Sequence, residues 1–270
     1  SERIQPVTPQ FTEILKAQEA ERTDPNQFRF PSVSEIASET NAEQISRGKE
    51  LIEQTYLKLP DNVGASLKCS NCHLNAGTVQ KAMTFVGVDD RYPRHRARSG
   101  KEDTLADRIN GCFERSMNGT ALDVESDDMK AMIAYMEWIS SEVEDGQKVV
   151  DHGLPKLTPL TPDPVNGEAL YTAKCASCHQ MNGGGVKTPD GTLLYPPLWG
   201  DESFNIGAGM ARLNSAAAFI KWNMPLGQGG SLSDQEAYDI ASYFSTQSRP
   251  DLAKKDQDWP KGGKPDDTRY

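Results

Sequence analysis

The chain has 270 residues, a formal charge of −10 and a mean hydropathy of −0.63. That length allows two modest domains with a core each, and the acidic balance excludes a nucleic-acid binder, which needs a basic footprint. No run approaches the roughly 18 apolar residues of a membrane span, so no membrane span is expected.

Residues 1–40 are polar, with helix expected around Thr12–Glu21 and the rest extended. They lack the basic, apolar and small-residue order of a signal peptide, so an exported protein would be met here already processed. Ala42 to Ile52 then reads as a short amphipathic helix with Gly48 ahead of its apolar contacts Leu51 and Ile52.

Cys69-Ser70-Asn71-Cys72-His73 follows, and Cys175-Ala176-Ser177-Cys178-His179 repeats it in the second half. Cys-x-x-Cys-His is the pattern of covalent haem c attachment. Two thioethers need cysteines one turn apart, and the adjacent histidine then faces the iron. A four-cysteine zinc site would leave both histidines idle, and a redox disulfide needs no histidine after its second cysteine. Two haem c groups are therefore expected, on Cys69 and Cys72 and on Cys175 and Cys178, with His73 and His179 as axial ligands.

Between the first motif and residue 125 the chain reads as irregular. It contains a cationic run from Arg91 to Lys101, with Arg91, Arg94, Arg96, Arg98 and Lys101 and no acid. Such a run is either a solvated face or an anion-attracting field inside an acidic protein. Cys112 lies beyond it, flanked by Arg108 and Arg115, 39 residues after His73. The fifth cysteine has no partner. It can be an inert buried thiol or a thiolate ligand to the first haem; Met83 and Met117 are rival ligands.

Ser126 to Ile139 reads as a capped amphipathic helix. A proline-rich linker from Gly153 to Pro164 follows, and a boundary near residue 150 divides the chain into 1–150 and 151–270. Asn166 to Tyr171, with Gly167, repeats the first helix, and Ser233 to Phe244 repeats the capped one, with Ser233 and Glu236 fitting a capping box. Cys72 to Tyr135 is 63 residues and Cys178 to Tyr243 is 65, so the halves match in length as well as order. Met224, 45 residues after His179 and followed by Pro225, is the candidate sixth ligand of the second haem, with Met210 and Lys221 as competitors. Tyr195-Pro196-Pro197-Leu198-Trp199-Gly200 offers a proline carbonyl to the Nδ1–H of His179. The tail from Arg249 to Tyr270 is expected to drape over the surface.

This order resembles two class I cytochrome c domains, mainly α, joined by the proline-rich linker and flanked by extended terminal segments. The two motifs, Arg108-Ile109-Asn110-Gly111-Cys112-Phe113-Glu114-Arg115-Ser116-Met117-Asn118-Gly119, the run from Tyr195 to Met210 and Asn223-Met224-Pro225-Leu226-Gly227 are together similar to the thiosulfate dehydrogenases. The first half also resembles the SoxA cytochrome. The resemblance implies oxidation of two thiosulfates to tetrathionate, or its reverse, at a His/Cys-ligated first haem with Cys112 as ligand and catalytic sulfur. It implies Arg98, Arg108 and Ser116 as substrate-binding residues and a second haem that passes electrons to an external acceptor. That acceptor would be another c-type cytochrome or a high-potential iron–sulfur protein, in the periplasm. Some of the family carry lysine just before the methionine ligand; here that position is Asn223, so Met224 is expected in both redox states. Rival readings are a plain electron-transfer dihaem cytochrome, a SoxA-like subunit and, more distantly, a dihaem peroxidase.

Overall fold

Gly48 and Gly167 mark the two helix crossings on which the architecture rests. A Cβ on Gly48 would stand 1.9 Å from the Ala131 carbonyl oxygen and 2.8 Å from Tyr135 Cβ. A Cβ on Gly167 would stand 2.0 Å from the Asp239 carbonyl oxygen and 3.0 Å from Tyr243 Cβ. Only a residue without a side chain lets the backbones meet there. Tyr135 and Tyr243 thus hold equivalent places, in the register that the spacing from each motif anticipated.

The computed structural model describes residues 29–144 and 147–270; the helix expected around Thr12–Glu21 lies outside them. The first half contains α1 (Ala42–Glu53), α2 (Leu105–Arg115) and α3 (Asp127–Ser140), and the second α4 (Pro164–Lys174), α5 (Leu213–Asn223) and α6 (Asp234–Thr246). Ile45, Leu51 and Ile52 of α1 are buried, as are Met129, Met132, Tyr135 and Ile139 of α3. Segment 154–163 between the halves has no regular structure. Among the described residues no helix is long and apolar enough to cross a membrane.

The helix starts follow their caps. Ser126 Oγ accepts from Met129 N, and Ser233 with Glu236 closes a reciprocal capping box. Asp163 accepts from the amides of Val165 and Asn166 ahead of Pro164, which opens α4.

Two stretches outside the expected helices are helical. α2 opens on a capping box of Thr104 and Asp107 and carries Cys112, and α5 ends one residue before Met224. The glycine and the charges of α2 obscure its apolar pair, Ile109 and Phe113, which are both buried. The cationic run also has structure. β1 (Arg94–Arg96) pairs antiparallel with β2 (Lys101–Asp103), opposing Arg94 to Asp103 and His95 to Glu102. The run therefore has acids beside it that its own segment lacks. A second small hairpin joins β3 (Val186–Lys187) to β4 (Leu193–Tyr195).

The halves are held together by named contacts. Tyr56 Oη donates to the Gly191 carbonyl at 2.7 Å and accepts from Leu193 N at 2.8 Å. Asn223 Nδ2 donates to the Lys81 carbonyl at 2.9 Å. The tail does more than drape: Leu252 and Trp259 are buried, Asp258 meets Arg115 on α2, and Asp267 meets Arg212 ahead of α5.

Candidate active site

Each Cys-x-x-Cys-His motif closes one tight turn. The amides of Cys72 and His73 both donate to the Cys69 carbonyl, at 3.2 and 2.9 Å, and those of Cys178 and His179 to the Cys175 carbonyl, at 3.1 and 2.9 Å. All four cysteines and both histidines line one continuous cavity of about 630 Å³. His73 Nδ1 lies 2.6 Å from the Met83 carbonyl oxygen and His179 Nδ1 lies 2.9 Å from that of Pro196. A carbonyl can only accept, so each Nδ1 carries the proton and each Nε2 is left with a lone pair for a metal. The proline carbonyl foreseen for His179 is in place, and Met83 plays the same part for His73 from its backbone. Among the described residues no cluster of three or more His, Cys, Asp or Glu forms a metal site, so the cysteine pairs do not converge as a zinc site requires. The paired thiols, the oriented histidines and apolar walls that include Phe85, Met132, Phe219 and Ile240 fit two haem c groups.

Cys112 lines the same cavity from α2. Arg108 stands one turn earlier on the helix, where i and i+4 side chains meet, and its Nη1 donates to Cys112 Sγ at 2.8 Å. Burial pushes the Cys112 thiol up, but the Arg108 charge and the neighbouring His73 together outweigh it and bring it down to about 6. Cys69, Cys72 and Cys175 go the opposite way. Burial pushes Cys69 and Cys72 up to about 12 and Cys175 up to about 11. Arg108 is in turn held above its ordinary value, first by the charge of Cys112. His73 and Cys112 also interact, so the two side chains face each other within the cavity. Met117, its rival, is buried against the same cavity.

Arg91, Arg94, Arg96, Arg108, Tyr92 and Ser116 also line the cavity. Arg94 and Arg96 share a face of β1 because strand side chains alternate. Arg96 Nη1 donates to Tyr92 Oη at 2.8 Å, and Arg91 Nη2 to the Thr84 carbonyl at 3.2 Å. Burial lowers Arg91 from its ordinary value. Arg98, expected among the substrate residues, is not brought to the cavity. It follows β1 at the hairpin turn and faces the tail. There Nη1 donates to the Gly207 carbonyl at 2.6 Å, and the guanidinium lies 4.5 Å from the Trp259 ring centre. Arg98 has the same two-residue spacing as Arg94 and Arg96, so the sequence carries no signal that separates it from them; it departs because β1 ends at Arg96 and Arg98 lies in the turn.

On the second side, Met224 and Met210 both line the cavity. Lys221 is turned away: its Nζ donates to the Leu232 carbonyl and lies 3.4 Å from Asp234. Asn223 is buried and also points elsewhere, donating to the Lys81 and Phe219 carbonyls.

Residues 55–144 match the family model described as the SoxA/TsdA cytochrome c domain, and residues 164–248 match that of cytochrome c. A thiosulfate dehydrogenase of Psychrobacter arcticus is 47% identical over 90% of this chain and 74% of its own length. One from Allochromatium vinosum is 46% identical over 82% of this chain and 83% of its own. The solved structure of the thiosulfate dehydrogenase TsdBA from Marichromatium purpuratum superposes with a TM-score of 0.82 at 33% identity. It covers 86% of this chain, which spans 51% of that longer one. Two cytochrome c domains and identities of this size over most of the chain place it in the thiosulfate dehydrogenase family of dihaem c-type cytochromes.

Proposed function

We propose that the protein couples two thiosulfates into tetrathionate at Cys112, and that the observation carrying this reading is the Arg108–Cys112 contact facing His73. The cationic wall formed by Arg91, Arg94, Arg96 and Arg108 draws the dianion in, since guanidinium forks suit oxyanion groups. Ser116, at the end of the Cys112 helix, offers a hydroxyl to the same anion. Arg98 supports this wall from behind, through the tail.

The Cys112 thiolate forms a sulfur–sulfur bond with the sulfane sulfur of one thiosulfate, and that step releases two electrons. The haems, when bound, supply the one-electron acceptors for that pair. A second thiosulfate attacks the sulfane sulfur joined to Cys112. The disulfide bond to Sγ breaks, tetrathionate leaves and the thiolate returns. Arg108 stabilises the thiolate at both ends of the cycle. His73 and His179 are held by the Met83 and Pro196 carbonyls, and Met224, which lines the cavity, would hold the second haem together with His179. A methionine there raises the potential and suits an electron relay. Both motifs line the same cavity, and a small c-type cytochrome or high-potential iron–sulfur protein takes the electrons from the second centre. Haem c attachment on exported chains assigns the protein to the periplasm.

The test replaces Cys112 with Gly in the haem-loaded protein and follows thiosulfate-dependent reduction of ferricyanide or cytochrome c. Loss of turnover is expected, with both centres still reducible by dithionite. Undiminished turnover would overturn the catalytic role, and an unchanged low-spin thiolate spectrum would overturn the ligand role.

A further inference from the structure

The helix that carries Cys112 is held at its far end by residues outside its own domain. Arg115, one turn beyond Cys112, donates from Nη2 to Asp258 Oδ1 at 2.5 Å. Asp258 is 3% exposed, and its other oxygen accepts from Tyr270 Oη at 2.5 Å and lies 3.7 Å from Arg98 Nε. Trp259 N donates to the Arg98 carbonyl at 2.8 Å, which pins the tail to the hairpin beside the cavity. The last carbonyls of α2 are taken from the second domain: Asn205 Nδ2 donates to the Glu114 carbonyl at 2.9 Å and Asn205 N to that of Arg115 at 3.2 Å. A Cβ on Gly207 would stand 2.5 Å from the Leu252 side chain and 3.3 Å from Arg115 Cγ, so loop, tail and helix close on one another.

We propose that Asp258 is a positioning residue for Cys112: the C-terminal segment acts as a strap that sets the tilt of α2, and with it the place of the sulfur opposite His73. This inference rests on the reading of Cys112 as ligand and catalytic sulfur. Asp258 does not line the cavity and acts only through Arg115 and Arg98. A buried carboxylate between two guanidiniums is hard to remove, because the cations are then stranded without a partner. Within α2 itself only Ile109 and Phe113 are fully buried, so two apolar anchors hold the helix from below and the strap holds it from above. A helix moves as a rod, and a sulfur displaced by a fraction of an ångström no longer matches a bond-length constraint. The displacement acts on Cys112, while Met224 follows α5, whose start is held by Asp267 and not by Asp258.

The experiment compares wild type, Asp258→Ala, Asp258→Glu and Tyr270→Phe as haem-loaded full chains. Electron paramagnetic resonance reads the low-spin thiolate species, near-red absorption reads the methionine–iron bond, and steady-state kinetics separate kcat from KM. Asp258→Ala is expected to lose at least half of the thiolate species and about 10-fold in kcat, with KM unchanged and the methionine band intact. Asp258→Glu is expected to restore most of the species. Tyr270→Phe removes one donor and keeps the carboxylate, so it gives the same split at about 2-fold and is informative even if Asp258→Ala fails to mature. A thiolate species present in wild type and unaltered in these variants would overturn the strap alone. Parallel loss of both haem signatures would also overturn it, since Asp258 would then support the fold at large. A wild type without the species would overturn the reading of Cys112, and the inference with it.

Discussion

Arg108 Nη1 lies 2.8 Å from Cys112 Sγ, one helical turn away on α2. That contact sets Cys112 apart from Cys69 and Cys72. Burial raises all three thiols, but at Cys112 the Arg108 guanidinium at hydrogen-bond distance and the neighbouring His73 together outweigh it.

Replacing Arg108 with Gln removes the charge and keeps a donor. The expected loss in kcat/KM is about 10²-fold. The pH profile carries the sharper sign. The thiolate is the reacting form and the Cys112 value is brought down to about 6, so wild-type activity falls as pH drops through about 6. In Arg108→Gln burial acts with less opposition, the Cys112 value rises and the fall begins at higher pH. An acid limb that does not move would refute the assignment.

Arg96 and Arg98 are two residues apart and are expected to behave differently. Arg96 lines the cavity, and Arg96→Ala should raise KM for thiosulfate about 10-fold. The wild-type KM should also rise with ionic strength. Arg98→Ala removes the contacts to Gly207 and Asp258 and should lower the unfolding temperature, with a smaller effect on KM. Equal effects on KM from both substitutions would contradict the placement of Arg98 behind the wall.

Met224→Ala should abolish the near-red methionine–iron absorption and lower the potential of the second haem, because thioether ligation favours the reduced iron. Lys221→Ala should leave that absorption in place, since its ammonium is engaged with the Leu232 carbonyl and Asp234. Redox titration with optical detection separates the two. Survival of the band in Met224→Ala would transfer the role to Met210.

Glu236 opens α6 and is held well below its ordinary 4.5, at about 2, first by the hydrogen bond from Lys174 and then by the Ser233 amide. A carboxylate depressed by folding stabilises the native state above its unfolded value, and that gain is lost as pH falls from 4.5 through about 2. Partial exposure of both partners keeps the gain to about 1 kcal/mol. Thermal unfolding of Glu236→Gln should therefore show a deficit at pH 7 that closes on approaching pH 2. A deficit independent of pH would point to packing instead of charge.

Much of this molecule is local and hence legible in the chain itself. The two haem motifs, the capped helices at Ser126 and Ser233, and the small residues at Gly48 and Gly167 depend on spacings within one turn or one helix. The sequence repeat carries the equivalence of Tyr135 and Tyr243. Cys112 was visible as the unpaired cysteine, but its helix was not, because Gly111 and flanking charges blur the apolar periodicity of α2. The direction in which each arginine points is decided only in three dimensions. Arg96 and Arg98 look alike in the chain, yet Arg96 ends β1 at the cavity while Arg98 lies in the hairpin turn and meets a tail some 160 residues away. The end of the strand and long-range ion pairing settle that choice, and no local pattern encodes a partner so distant in sequence.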